Sequence, residues 1–191
     1  MALPLSGSQR QKSAMVEEAE EVFEARFRSH WDGVFRIIWR LVGDSDEAED
    51  LALEVFWKLY QTPPRLKEEA ELRAWLFRVA TNLGYNALRA RRRRSQYELA
   101  GGQLNIEERG SLDPSSETQR REEQDQVREV LAGMKKRQAQ LIALRYSGFS
   151  YIEIADTLEI STASVGTLLS RAEAEFERRY RAREGREHVS S

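Results

Sequence analysis

The chain has no cysteine. Disulfides, thiolate metal sites and thiol nucleophiles are thereby excluded, and a reducing compartment is the expected one. Histidine is nearly as scarce. His30 and His188 are the two present, and neither has a partner at metal-ligating spacing. Long apolar runs are missing as well. The first residues, MALPLSGSQRQKSAM, lack the apolar core of roughly 7 to 15 residues that marks a signal peptide. No run approaches the roughly 18 apolar residues of a membrane span. The expected location is the cytoplasm, without membrane insertion. Strand signals and internal repeats are absent too, so the fold expected is all-α.

What is present is charge, and it is segregated. The formal net charge of −2 argues neither for nor against nucleic acid, whereas its distribution does. From Asp44 to Glu54, DSDEAEDLALE carries six acids and no base. From Leu76 to Tyr97 there are six arginines and no acid.

Residues 1–15 are polar and expected to be a disordered arm. Phe23, Phe27, Trp31, Phe35, Ile38 and Val42 then recur at three- or four-residue steps, predicting an amphipathic helix over 15–42. Gly43 ends it, and Asp44 or Ser45 caps the next. The second helix, 46–60, buries Ala48, Leu51, Ala52, Val55 and Leu59 and leaves Asp46, Glu47, Asp50 and Glu54 mostly on its other face. Acids in the first turn suit the helix dipole. The dipole does not require six of them.

Thr62-Pro63-Pro64 stops that helix. A charged loop, RLKEEAELR, leads to a third helix from Glu71, packed through Leu72, Trp75, Leu76, Val79, Ala80, Leu83 and Ala87. It is expected to finish in Arg89 and the run Arg91, Arg92, Arg93 and Arg94. Cations are mildly favourable at a helix C-terminus, yet this density exceeds that need and points to phosphate. Residues 98–123, with Gly101-Gly102 and GSLDPSSETQ, read as a flexible linker. Helical patterning returns at Gln124 with Val127, Val130, Leu131 and Met134, continues through Leu141, Ile142 and Leu144, and stops at Gly148.

Ser150 to Ala172, SYIEIADTLEISTASVGTLLSRA, reads as a helix-turn-helix. Ile154, Leu158, Ile160, Val165 and Leu168 fall where two short crossing helices bury side chains, with small Ala155 at the crossing. Ser150 and Glu153 stand at capping-box spacing, and Ser161 can cap the second helix. Glu159 occupies the turn position that often holds glycine, at an expected cost of about 1 kcal/mol. The second helix presents Ser161, Thr162, Ser164 and Thr167 outward, hydroxyls able to meet base edges or phosphates, and Arg171 one turn later suits a phosphate. Without Arg, Asn or Gln at its tip, it should discriminate weakly by direct contact. The last helix continues through Phe176 and Tyr180 before the tail frays.

With these motifs in place, residues 20–180 resemble a bacterial RNA polymerase sigma factor of the extracytoplasmic-function group. DSDEAEDLALEVFWKLY resembles the family's second-region helix, AWLFRVATNLGYNALRARRRR its promoter-melting and −10-reading helix, and LIALRYSGFSYIEIADTLEISTASVGTLLSRA its fourth-region −35 reader. The resemblance implies two small helical domains, a region 2 domain at 16–97 and a region 4 domain at 124–183, joined by the 98–123 linker and followed by a tail, 184–191. It implies that Asp46, Glu47, Asp50, Leu51, Glu54 and Phe56 dock on the β′ clamp helices of core RNA polymerase, with the β flap as a further contact. Trp75, Asn82, the loop from Pro64 to Arg73, Arg89 and Arg91 to Arg94 would bind the −10 region, flipping a base from the non-template strand. Ser161, Thr162, Ser164, Thr167 and Arg171 would meet the −35 region. An anti-sigma factor is an implied partner, and no cofactor, metal or catalytic residue is implied. Leu53 stands where the family usually has glutamine, Asn86 where it has aspartate, and Met134-Lys135 where a leucine-proline pair is common.

Two other functions compete. A free-standing helix-turn-helix regulator would bind duplex DNA alone, usually as a symmetric dimer, but the first domain shows no dimer seam. An all-helical magnesium-dependent nucleotide pyrophosphatase would use Glu47, Asp50 and Glu54. It needs facing carboxylates, where the third helix offers arginines.

Overall fold

The structure, a computed structural model, describes the backbone of residues 7–64, 68–100 and 116–187 and the side chains of 15–64, 68–97 and 119–183. The expected linker between 101 and 115, residues 65–67 of the charged loop and the extreme termini lie outside the described residues. Within them there are seven helices and no strand, so the all-α reading holds.

Three helices form the first unit: α1 (Gly7–Val42), α2 (Ser45–Gln61) and α3 (Glu69–Ala100). Helix α1 starts well before the expected Met15. Gly43 ends it at φ 77°, a left-handed conformation that glycine adopts without a Cβ penalty, and its N–H bonds the Trp39 carbonyl at 2.7 Å. Asp44 caps α2 by accepting from the Glu47 N–H at 2.8 Å. Thr62 closes α2, with Pro63 and Pro64 following. Val34, Ile37 and Ile38 of α1 meet Ala52, Val55 and Phe56 of α2 and Leu72, Leu76 and Ala80 of α3 in one apolar core. Helices α1 and α3 cross closely at Gly84, where an added Cβ would lie 2.9 Å from Leu41 Cδ1.

The second unit holds α4 (Ser116–Gly133), α5 (Lys136–Tyr146), α6 (Tyr151–Leu158) and α7 (Thr162–Glu187). Its α6 and α7 are the expected helix-turn-helix. Ser150 and Glu153 make the full capping box, and Glu159 sits in the left-handed region at φ 53°, ψ 53°. Ile154, Ala155, Leu158, Val165 and Leu169 are buried between the two helices, with Ile160 and Leu168 packed against them. Before α7, the Ser161 carbonyl accepts from Ser164 N–H at 2.9 Å.

The two units share their interior. Phe149 and Ile154 of the second unit join the core built on Val34 and Phe77, and Leu41, Tyr85 and Leu88 of the first join one built on Val130, Met134 and Ile142. Helix α3 is the common spine, in contact with α1 and α2 on one side and with α4, α5 and α6 on the other. It runs past the arginines to Ala100, and α4 begins at Ser116, so helix enters the expected linker from both ends. Arginine is a good helix former, which lets the run continue the helix.

Candidate functional site

The acidic segment places its charges in water. Asp46 and Asp50 are exposed, while Glu47 and Glu54 are half-buried, and Glu54 pairs with Lys58 one turn on at 2.8 Å. Leu51 is half-buried against the core. Phe56 lies beneath the surface, 2% exposed, its ring 4.7 Å from Phe27 and 5.9 Å from Trp31. It therefore shapes the α2 face mostly from inside, forming part of the groove wall beneath its more exposed neighbours. The apolar atoms available at that face belong to Leu53, Trp57 and Tyr60, all about half exposed, with Trp57 and Tyr60 stacked at 5.9 Å. Together with Phe23, Phe27, Phe56, Asp50 and Glu54 they line an open groove of about 650 Å³. An apolar strip rimmed by carboxylates is the composition of a protein-docking surface.

Helix α3 carries the expected −10 residues on different faces. Trp75 is half-buried against the first core. Asn82, seven residues on, accepts at Oδ1 from the Gln140 amide at 2.9 Å, and the same amide donates to Thr81 Oγ1 at 3.2 Å. Arg89, Arg91, Arg93 and Arg94 are exposed, and Arg92 is half-buried. Arg91 donates to the Val42 carbonyl at 3.3 Å, and no described carboxylate pairs with any of the five arginines. Arg89, Arg92 and Arg93 line a cleft of about 460 Å³ with Lys135, Lys136 and Arg179, without a carboxylate in its wall. Arg179 pairs with Glu175, and the remaining cations at this density suit phosphate.

At the start of α7, Ser161, Thr162, Ser164, Thr167 and Arg171 are all exposed, so the expected −35 residues share an accessible helix end. The turn that presents them is held firmly. Glu159 and Ile160 N–H groups both reach the Ala155 carbonyl, the second at 3.0 Å. Arg137 donates to the Leu158 carbonyl and Arg78 Nε to the Thr157 carbonyl at 3.1 Å, which takes up orphan acceptors at the end of α6. Glu153 titrates below its ordinary range, chiefly because the Ser150 backbone N–H bonds its carboxylate, with the Ser150 hydroxyl and Arg73 adding to the effect.

Comparison with known proteins identifies the family of the chain. Residues 26–94 match the family model for sigma-70 region 2, and residues 124–176 match the model for sigma-70 region 4. The chain belongs to the sigma-70 family, in its extracytoplasmic-function group. It is 27% identical to the sigma factor SigW of Bacillus subtilis over 73% of this chain and 79% of that one. It is also 27% identical to the RNA polymerase sigma-H factor of Pseudomonas aeruginosa, over 86% and 91% of the respective chains. Against SigG of Mycobacterium tuberculosis it is 28% identical over 73% of this chain, spanning 43% of that longer protein. In fold it resembles the sigma factor RpoE crystallised with the anti-sigma factor NepR from Bartonella quintana, with a TM-score of 0.52 and 22% identity over 84% of this chain and 98% of that one.

As a sigma factor the chain is a non-enzymatic transcription-initiation protein that binds RNA polymerase and promoter DNA. Among the described residues no helix is long and apolar enough to cross a membrane. Sequence reasoning missed how this sigma factor uses Tyr85, Arg78 and Gln140, which tie its two units together. Their signal was present only as polar residues on apolar helices. Leu53 and the Trp57–Tyr60 pair are visible in the sequence as apolar residues near the acids.

Proposed function

We propose that this sigma factor is a promoter-specificity subunit acting in the cytoplasm through two DNA anchors and one main polymerase dock. The exposed α2 face, with Asp46, Glu47, Asp50 and Glu54 around Leu53, Trp57 and Tyr60, seats on the β′ clamp helices of core polymerase. Leu51 and Phe56 support that face. The region 2 domain, 16–97, reads and helps melt the −10 element through Trp75, Asn82 and the arginines Arg89 and Arg91 to Arg94. A flipped base of the non-template strand needs unstacking energy, which an aromatic and cationic surface supplies. The region 4 domain, 124–183, meets the −35 element with Ser161, Thr162, Ser164, Thr167 and Arg171, and contacts the β flap. The 98–123 segment spaces the two.

The observation that carries this reading is that the two family matches fall on the two units that bear the acidic–apolar groove and the exposed helix-turn-helix end. Weak base-reading chemistry on α7 is sufficient because polymerase would hold both units at once, raising the effective concentration of the second contact. The product is transcription of a dedicated set of promoters, and an anti-sigma factor would control it by covering the docking and DNA faces. Transcription from a randomised promoter library by core polymerase tests the reading. Transcripts sharing −10 and −35 motifs are expected only when this protein is added, and a transcript pool indifferent to it would contradict the proposal.

A further inference from the structure

We propose that the cleft between α3, the α4–α5 turn and α7 is a binding site for a compact polyphosphate, recognised by its triphosphate group. Six cations wall it, with Arg89, Arg92 and Arg93 from the first unit and Lys135, Lys136 and Arg179 from the second. Its volume, about 460 Å³, suits a small ligand. The hydroxyl of Tyr85, also in the wall, is spent on the Met134 carbonyl at 2.6 Å, so that carbonyl is already taken.

The charges of the two units converge over Gly133, the last residue of α4. A Cβ added there would lie 3.2 Å from Arg92 Cζ and 3.1 Å from Arg179 Nη1, so two guanidiniums occupy the space that a side chain would fill. Like charges brought together in a recess are costly unless an anion lies between them. The described carboxylates nearby are committed elsewhere. Glu175 engages Arg178 and holds Arg179 through Nε, while Arg179 Nη1 turns to the Gly133 site. Glu129 pairs with Arg183 at 3.4 Å, and no described carboxylate pairs with Arg92. Guanidiniums donate paired N–H bonds to anionic oxygens and lysines add point charges, a set that binds phosphate. Cations facing one cleft from both sides call for several negative charges in a small volume. A triphosphate supplies them, whereas inorganic phosphate carries fewer. DNA spreads its charges along a line, which suits exposed Arg91 and Arg94, outside the cleft wall, better than a recess closed by Lys135, Lys136 and Arg179.

Isothermal titration calorimetry of the full chain at physiological ionic strength, without magnesium, tests the site with inorganic tripolyphosphate as the probe. Saturable one-site binding is expected, with inorganic phosphate weaker by about tenfold or more. Gly133→Ala keeps every charge and places a methyl where the guanidiniums meet. It should weaken tripolyphosphate binding by about tenfold, the loss expected of one charge-assisted hydrogen bond. Arg92→Gln should weaken it to a similar extent, and Arg28→Gln, at an exposed arginine of α1 outside the cleft wall, should leave it unchanged. Helicity and melting temperature of each variant separate loss of the site from misfolding. ATP distinguishes the sources: binding tighter than tripolyphosphate assigns a free nucleotide, equal or weaker binding assigns an inorganic chain, and either supports the site. No saturable binding of tripolyphosphate, inorganic phosphate bound as tightly, equal losses in Arg28→Gln and Arg92→Gln, or full affinity in a folded Gly133→Ala would each overturn the inference. Single-stranded DNA of random sequence that loses affinity on Gly133→Ala while tripolyphosphate does not would also overturn it, giving the convergence to a strand. Polymerase and promoter are absent from the titration, so its outcome is independent of the −10 role proposed for Arg89, Arg92 and Arg93.

Discussion

The hydroxyl of Tyr85 offers a sharp test of how the two units are joined. It donates to the Met134 carbonyl at 2.6 Å from a position 2% exposed, at the junction of α3 with the second unit. Met134 precedes α5, so its carbonyl has no intrahelical partner. Tyr85→Phe keeps the ring and its packing but leaves that carbonyl buried without a donor, which costs about 1–3 kcal/mol. For a chain of this size each kcal/mol shifts Tm by about 2–4 °C, so a fall of about 4–8 °C is expected near the middle of that range. Because both apolar cores draw residues from both units, the expected thermogram has a single transition in each protein. Tyr97→Phe, at an exposed position, is the control and should leave Tm unchanged. Calorimetry of the three proteins decides. A shift below about 1 °C for Tyr85→Phe, or two separate transitions in the wild type, would refute the reasoning.

Other consequences are as open to measurement. Glu159 holds φ 53°, so Glu159→Val, which adds β-branching in the left-handed region, should lower the urea midpoint by the equivalent of about 1 kcal/mol or more. Glu159→Gly should be nearly neutral, because about 1 kcal/mol of relief is offset by glycine's greater freedom when unfolded and by the lost Arg78 pair. Glu153 has a depressed folded pKa, so its contribution is present above the ordinary value of 4.5 and is lost as pH falls through the folded value. Thermal melts should therefore show Glu153→Gln less stable than wild type at pH 7, with the gap closing well below pH 4.5. Replacing Arg91 to Arg94 by alanine should flatten the salt dependence of promoter binding by holoenzyme, by about 0.7–0.9 in log–log slope for each phosphate contact removed. An unchanged slope would take phosphate contact away from these arginines.

Much of the fold was legible because its signals are local. Gly43, the Asp44 cap, the Thr62-Pro63-Pro64 stop and the Ser150–Glu153 box each act within one helical turn, and the structure shows each where the sequence places it. The left-handed Glu159 was legible for the same reason, since the turn length between α6 and α7 demands it. Helix ends without such signals were not legible. Helices α1, α3 and α4 extend beyond apolar periodicity into polar sequence, where helix propensity carries them. Burial was harder still on faces shared between units. Thr81 and Gln140 meet only when α3 and α5 pack together. Pairings separated by dozens of residues leave no periodic trace in either partner.

Docking of the α2 face on core polymerase is the claim on which the account turns. Gel filtration of the purified protein with core enzyme measures it, comparing wild type with Asp50→Arg and Glu54→Arg, two changes at the groove lined by Leu53, Trp57 and Tyr60. Wild type is expected to elute with the core enzyme and both variants to elute free with their helicity intact. Co-elution of the two variants at wild-type stoichiometry, or a wild type that never joins the core enzyme, would contradict it.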